Sequence, residues 1–511
     1  MEKEVFIKLE NISKTFGPVK ANRNINLELR KGEIHALLGE NGSGKSTLMN
    51  ILSGIYSPDG GSIMLDGKQV AFDSPKEAIE AGIGMVHQHF KLVDVLSAQE
   101  NIIAGQCKGV FINKAKMTES ILTICKKYGL TVNPNKKIYN MSVSEKQTVE
   151  IIKVLYRGAK VLILDEPTAV LTPQETRVLF EIMRNMKREG CAVVIITHKM
   201  NEVMEISDRV TVLRKGESIA TIDTSSATPE QLTELMVGKA IDLDLERVQV
   251  DPALVKEVLK VENLTVLNGE RREAVSNVSF TLSGGEILGV AGIADSGQKE
   301  LCEAITGMMK IKSGKVVFKG ENIVGLSPRD IIKRGVSLSF VPEDRLGMGL
   351  VAGMNIIDNV LLKSYQNMPG LFVDRKEGRK KAEEIVQRFD ISTPGTNQIV
   401  KRLSGGNIQK VLLGREIDLE PELLITAYPV RGLDIGASYN IYDVLNQQKQ
   451  KGVAVLFIGE DLDVLLGLCD RLMVMHNGKI MDIVDPKKIT KDEVGMLMVG
   501  RRPEGGELYY D

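Results

Sequence analysis

Short apolar runs rich in Val and Ile alternate along the chain with stretches whose apolar positions recur every three or four residues. Residues 33–39 read EIHALLG, residues 161–166 VLILDE and residues 192–197 AVVIIT. Continuous runs of this length predict strands buried on both faces, as in a parallel sheet. A helix is expected to begin near Lys45, directly after the first run. Residues 117–130, MTESILTICKKYGL, are apolar on one helical face and predict a helix in a smaller helical part. Strands and helices in alternation are the pattern of an α/β fold.

The pattern occurs twice. Pro167 in LDEPT returns as Pro429 in TAYPV, 262 residues later (429 − 167). Asp208-Arg209 and Asp470-Arg471 keep the same spacing, as do ELMVG at 234–238 and MLMVG at 496–500. Earlier in each copy the offset is 253, from Gly39 to Gly292 (292 − 39), so small insertions separate the copies. A tandem duplication is the reading: a first domain over 1–243, a short charged linker over 244–254 and a second domain over 255–511.

Composition narrows the class. The 511 residues carry 66 basic and 67 acidic side chains, a balance that argues against a general nucleic-acid binder. The start MEKEVFIKLE lacks the apolar core of a signal peptide, and no apolar run of about 18 residues predicts a membrane span. Five scattered cysteines without a CxxC pair predict a reducing compartment and neither disulfides nor a zinc site.

Residues 39–47, namely Gly39, Glu40, Asn41, Gly42, Ser43, Gly44, Lys45, Ser46 and Thr47, fit GxxxxGK[ST] between a strand and a helix. Glycines let the backbone wrap phosphates, helix-start amides point at them, and Lys45 adds a charge. Ser46 and Asp165 are the candidate Mg²⁺ ligands, with Gln88 beside them; Glu166 is placed to polarise the attacking water. Gln88, His198 and Phe16 are unremarkable alone: a surface amide, a strand-end histidine and an aromatic as fit for a core as for an adenine platform. The series P-loop, Gln, Asp-Glu, His gives Gln88 and His198 catalytic readings and Phe16 an ATP-stacking one, and the chemistry implied is ATP hydrolysis.

The copies fail in opposite places. In the second, Gln298 meets Lys45, Lys299 meets Ser46, Ala427 meets Asp165, Tyr428 meets Glu166, Glu343 meets Gln88, Glu460 meets His198 and Leu267 stands near Phe16's place. Lys299, one residue out of register, should point away from a phosphate. Yet the second copy keeps Leu403-Ser404-Gly405-Gly406-Asn407 ahead of an apolar helix, a hydroxyl and open amides suited to an anion. The first has Met141-Ser142-Val143-Ser144-Glu145 there, with a Cβ and a negative charge in the way. The second also keeps Gly432-Leu433-Asp434 against Val170-Leu171-Thr172. Independent drift would scatter such losses. The expectation is one working ATP site, with Ser404, Gly405, Gly406 and Asp434 completing what residues 39–47 begin.

At LSGGN, GENGSGKST and LDEPT the chain resembles ABC-type ATPases over nearly its whole length. Its tandem form, with a damaged second P-loop, resembles the ATP-binding subunits of bacterial importers for simple sugars and nucleosides. Residues 85–102, 339–345 and 426–437 are more similar to the nucleoside branch (basic membrane protein) than to the ribose or galactose branch. The resemblance implies two tandem P-loop NTPase domains, each with a mostly parallel sheet and a helical subdomain, using ATP and Mg²⁺. It implies two transmembrane permease subunits gripped near Gln88 and Glu343, an extracytoplasmic substrate-binding lipoprotein, and a peripheral place on the cytoplasmic side of the cell membrane. Lys299, Val430, Thr172 and Ser144-Glu145-Lys146 depart from the family pattern, mostly in the degenerate site. A sugar importer's ATPase is the main alternative. A soluble tandem ATPase acting on ribosomes would keep both sites intact and carry a long charged linker; a scaffold without turnover would not need Glu166 and His198.

Overall fold

Three of the apolar runs form strands Ile34–Gly39, Val161–Asp165 and Ala192–Thr197, the first and last buried throughout. They lie inside a six-stranded sheet ordered Glu217–Asp223, Arg209–Arg214, Ile34–Gly39, Ala192–Thr197, Val161–Asp165, Ile83–Val86. All neighbours are parallel except the first pair, which is antiparallel. Val and Ile suit these positions because branched side chains pack closely between helices on a pleated surface. The computed structural model describes residues 4–17, 19–87, 90–106, 114–169, 171–238, 245, 247–293, 295–340, 349–365, 373–431, 433 and 435–502. Gln88, Glu343, Gly432 and Asp434 lie outside the described residues.

A second sheet adds to what the apolar runs announced. Strands Val19–Arg30, Val5–Phe16, Gly60–Leu65 and Lys68–Val70 form an antiparallel sheet in that order. Only one of its faces is covered: Ile25, Leu27 and Leu29 turn inward while Asn24, Asn26 and Glu28 face solvent. That inner face, the helix Lys45–Leu52 and one face of the parallel sheet share a single core containing Ile7, Leu9, Leu37, Leu48 and Ile163. The strand–loop–helix at 39–45 is therefore held from two sheets at once.

The helical part of this unit consists of Ala98–Ile103, Lys114–Tyr128 and Val143–Tyr156. The predicted amphipathic segment is the second of these, burying Ile121, Cys125 and Tyr128.

The chain divides into two units, Met1–Asp242 and Leu243–Asp511. The second repeats the first: a four-stranded antiparallel sheet and a six-stranded one ordered Val336–Phe340, Leu423–Ala427, Ala454–Ile458, Ile287–Ala291, Arg471–His476, Lys479–Val484. Its helical part is Ile356–Leu361, Arg375–Arg388 and Gly405–Asp418. Part of the segment expected as linker lies against this unit. Leu245 packs on its core, Arg247 donates to the carbonyls of Leu466 and Gly467, and Asp251 caps the turn Pro252–Leu254.

Candidate functional site

The phosphate-type loop of the first unit starts where the buried strand ends at Gly39 and finishes at the helix Lys45–Leu52. Gly44 caps that helix at φ +98°, and a Cβ there would sit 2.4 Å from the Ala21 carbonyl oxygen. No side chain caps the helix, so its first amides stay open to an anion. Lys45 is buried, and its Nζ donates to the carbonyls of Gly39 at 2.6 Å and Glu40 at 2.9 Å. Burial pushes this ammonium below the usual lysine range, opposed by the charges of Glu166, Asp165 and Glu40. Part of its charge is thus unmet by full hydration, which favours an incoming anion.

Asp165 closes the strand Val161–Asp165, with Oδ2 3.5 Å from the Ser46 hydroxyl. Burial, then the charge of Glu166, raises its carboxyl above the ordinary range; Lys45 and Ser46 oppose them. Glu166 follows at φ +45°, an uncommon conformation for a non-glycine residue, with its N–H bonded to the Ile196 carbonyl at 2.9 Å. His198 Nδ1 lies 3.1 Å from Glu166 Oε1, and this hydrogen bond is the main reason the Glu166 carboxyl falls below its usual range. The pair can hold an ionised carboxylate ready to accept a proton from water.

Ser46 and Asp165 are hard oxygen donors, and the raised Asp165 carboxyl marks negative charge that a cation would relieve. Among the described residues no group of three or more His, Cys, Asp or Glu side chains forms a metal cage. The hydroxyl and carboxylate donors fit Mg²⁺, which binds through one or two carboxylates and keeps waters and phosphate oxygens for the rest. Phe16 ends the strand Val5–Phe16, is 41% exposed and stands edge-on to Tyr56 at 5.2 Å. An aromatic half open to solvent is able to stack a nucleobase.

The second unit keeps this backbone and not its chemistry. Gly297 has φ +96° and Tyr428 φ +54°, matching Gly44 and Glu166. Gln298 is buried and its Nε2 donates to the Ile293 carbonyl at 3.2 Å. Lys299 is turned out to solvent, 3.9 Å from Glu303. Ala427 is buried, and burial, then the charge of Glu460, pushes the Tyr428 phenol up to about 12. Glu460 pairs with Arg431 at 3.3 Å.

The helix following LSGGN shows the reverse contrast. Ser404 caps Gly405–Asp418, its Oγ accepting from the Asn407 amide at 3.5 Å and side chain at 2.9 Å. In the first unit Ser142 caps Val143–Tyr156 as a full capping box: Glu145 accepts from the Ser142 amide at 2.8 Å and pairs with Lys136 at 2.7 Å. A carboxylate of the chain itself thus occupies the positive end of that helix.

One buried network escaped the sequence reading. Glu202 accepts from Thr168 Oγ1 at 2.5 Å and Thr197 Oγ1 at 3.2 Å. Its signal lay in the repeat, where positions 430, 459 and 464 are Val, Gly and Val.

Two sheets about a phosphate loop, with lysine, hydroxyl, paired carboxylates and histidine brought together, define a P-loop ATPase. A family model described as "ABC transporter" matches residues 22–169 and 275–429. The chain is 44% identical to the nucleoside import ATP-binding protein NupA of Lactococcus lactis over 98% of its own length and 99% of the relative's. It is 44% identical to the guanosine import ATP-binding protein NupO of Bacillus subtilis, covering 97% and 98%. Against the galactose/methyl galactoside import ATP-binding protein MglA of Escherichia coli the identity is 37%, covering 96% of each. The chain belongs to the ABC transporter family, and is of the ATP-hydrolysing kind. Among the described residues, no helix is long and apolar enough to cross a membrane.

Proposed function

We propose that this chain hydrolyses ATP at one site to drive import of nucleosides. One observation carries the single-site reading: Lys45, Ser46, Asp165, Glu166 and His198 stand in one unit, and their counterparts in the other are Gln298, Lys299, Ala427, Tyr428 and Glu460. Phosphates are held by the amides of residues 39–47 and by Lys45, with adenine on Phe16. Ser46, Asp165 and Gln88 would hold Mg²⁺, which would supply positive charge beside the transferring phosphate. Glu166, steadied by His198, orients water and takes its proton. Ser404, Gly405, Gly406 and Asp434 complete the phosphate contacts, so one ATP draws on residues of both halves of the chain. The complementary losses in the two halves support this arrangement.

The nucleoside assignment is supported by the 44% identity to two nucleoside-import relatives, against 37% to a galactose-import one. Two permease subunits, an extracytoplasmic binding protein and a place on the cytoplasmic face of the membrane follow from that assignment. The test is uptake by vesicles holding the chain with permeases that co-purify with it. ATP-dependent uptake of labelled guanosine with no ribose uptake is expected. Ribose uptake without guanosine uptake would reassign the cargo, and co-purification with RNA in place of permeases would overturn the transport role.

A further inference from the structure

The Glu166–His198 pair sits on two loops that end neighbouring strands, Val161–Asp165 and Ala192–Thr197. Loop ends drift unless something ties them, and a base must hold its geometry to a fraction of an ångström. Two ties are visible. The first is the backbone bond from the Glu166 amide to the Ile196 carbonyl, and the second unit has it as well, from Tyr428 to Ile458 at 2.8 Å.

The second tie exists only in the first unit. Thr168 follows Glu166 by two residues and Thr197 directly precedes His198; both hydroxyls donate to Glu202, on the helix Met200–Ile206. Lys199 adds its amide to Thr197 Oγ1 and its ammonium to Glu202 at 3.1 Å each. Thr168, Thr197 and Glu202 are 3%, 2% and 9% exposed. In the second unit the same positions carry Val430, Gly459 and Val464, and the two valines pack against the core. The same turn, with Tyr428 at φ +54° against Glu166 at +45°, therefore forms without any of these polar groups. A buried carboxylate is a poor way to stabilise a fold that apolar residues hold equally well. Apolar residues hold the matching turn of the second unit, so the fold of the turn does not require this carboxylate.

We infer that Glu202 is a positioning residue for ATP hydrolysis: by gripping Thr168 and Thr197 together it fixes the spacing of Glu166 and His198. This inference rests on the single-site reading above and adds to it a residue with no counterpart in the degenerate half.

The test is steady-state phosphate release by the full-length chain with its permeases. Glu202→Val should lower kcat about 100-fold, the scale of a small misplacement of reacting groups, and leave KM for ATP within about twofold. Glu202→Gln, which keeps an acceptor and the shape, should retain most of the rate. Glu202→Val strands two buried hydroxyls and is expected to lower Tm. Thr168→Val/Thr197→Ala/Glu202→Val removes them too, and should regain Tm while kcat stays low. Recovery of kcat along with Tm would make the network merely structural and overturn the inference; so would a KM that rises in step with the loss. Glu166→Gln, run alongside, separates the two levels: if it hydrolyses normally, the single-site reading itself has failed.

Discussion

The helix starts at Gly44 and Gly297 share a backbone conformation and little else. Gly44 and Gly297 take φ +98° and +96°, and a Cβ on either would strike a carbonyl of the antiparallel sheet, Ala21 at 2.4 Å or Ala274 at 2.3 Å. Packing between two sheets therefore dictates the shape of the loop, with or without a phosphate. Charge is a separate matter. Lys45 is a buried cation with carboxylates nearby, whereas Gln298 is a neutral amide satisfied by its own loop. At the places of Lys45 and Asp165 the second unit carries uncharged Gln298 and Ala427, which bury without that cost, and it keeps the glycine that the fold needs. The signature helices teach the converse lesson. Where the anion end stands open, at Ser404, an amide side chain neighbours it; where it is filled, Glu145 of the chain itself fills it.

The sharpest way to break the comparison is to remove the ionisable group at the equivalent place in each half, the Glu166 carboxylate and the Tyr428 phenol. Glu166→Gln should reduce phosphate release about 10³-fold, the range of a lost general base. Tyr428→Phe, at the matching position, should leave the rate within about twofold, since no proton acceptor stands there. Comparable losses from both changes would mean two working sites.

Exchanging the helix starts should come next in size. Gly406→Ser/Asn407→Glu gives the second unit the first unit's capping box and puts a carboxylate where phosphate contacts are proposed. Hydrolysis should fall about 100-fold, as when an anion-binding donor is lost. The mirror change, Ser144→Gly/Glu145→Asn, should leave hydrolysis intact and lower stability by about 1 kcal/mol through the broken box. Single-turnover rates and thermal melts on the same preparations decide it.

Much of this contrast was legible in the residues. Long apolar runs gave away the parallel strands, and the fixed offset showed which side chains to compare. Lys45, Asp165, Glu166 and His198 could be singled out because each ends a strand or opens a helix. The antiparallel sheet was harder to see: its strands alternate and are bulged at several points, as between Leu9 and Ile12, so neither a clean period of two nor an apolar run marks them. Glu145 read as a defect; its bond to the Ser142 amide and pairing with Lys136 give it a structural task that a missing glycine does not reveal. Glu202 was invisible for another reason. Its partners lie 34 and 5 residues away and meet it only where two strands end side by side.

Phe16→Leu installs the residue of the second unit, Leu267, at the first unit's exposed aromatic. Base stacking on an aromatic is worth about 1–3 kcal/mol, and leucine keeps part of that contact. KM for ATP should rise about fivefold with kcat unchanged, and GTP should suffer equally, because stacking does not read base edges. A fall in kcat instead would place Phe16 outside the adenine contact.

The smallest effect concerns stability, and its sign is informative. The folded Asp165 carboxyl titrates above the unfolded value of about 3.9, chiefly through burial and then the neighbouring Glu166 charge. Between those two values the folded state binds more protons than the unfolded one. Stability contributed here is therefore lost as pH rises through the window, and the penalty persists at pH 7. Asp165→Asn removes it, whereas the second unit, with buried Ala427 at this place, never carries it. Lys45 loses one counter-charge but keeps Glu166 and Glu40, so the net change in the absence of nucleotide should be a Tm higher by roughly 1–3 °C at pH 7, shrinking towards zero below about pH 4. Adding Mg²⁺ and ATP should invert the order: the wild type gains binding energy through the ionised carboxylate, and the asparagine variant cannot. A variant less stable than wild type without nucleotide would show that Asp165 is a structural ion-pair partner, and the contrast with Ala427 would then be one of packing alone.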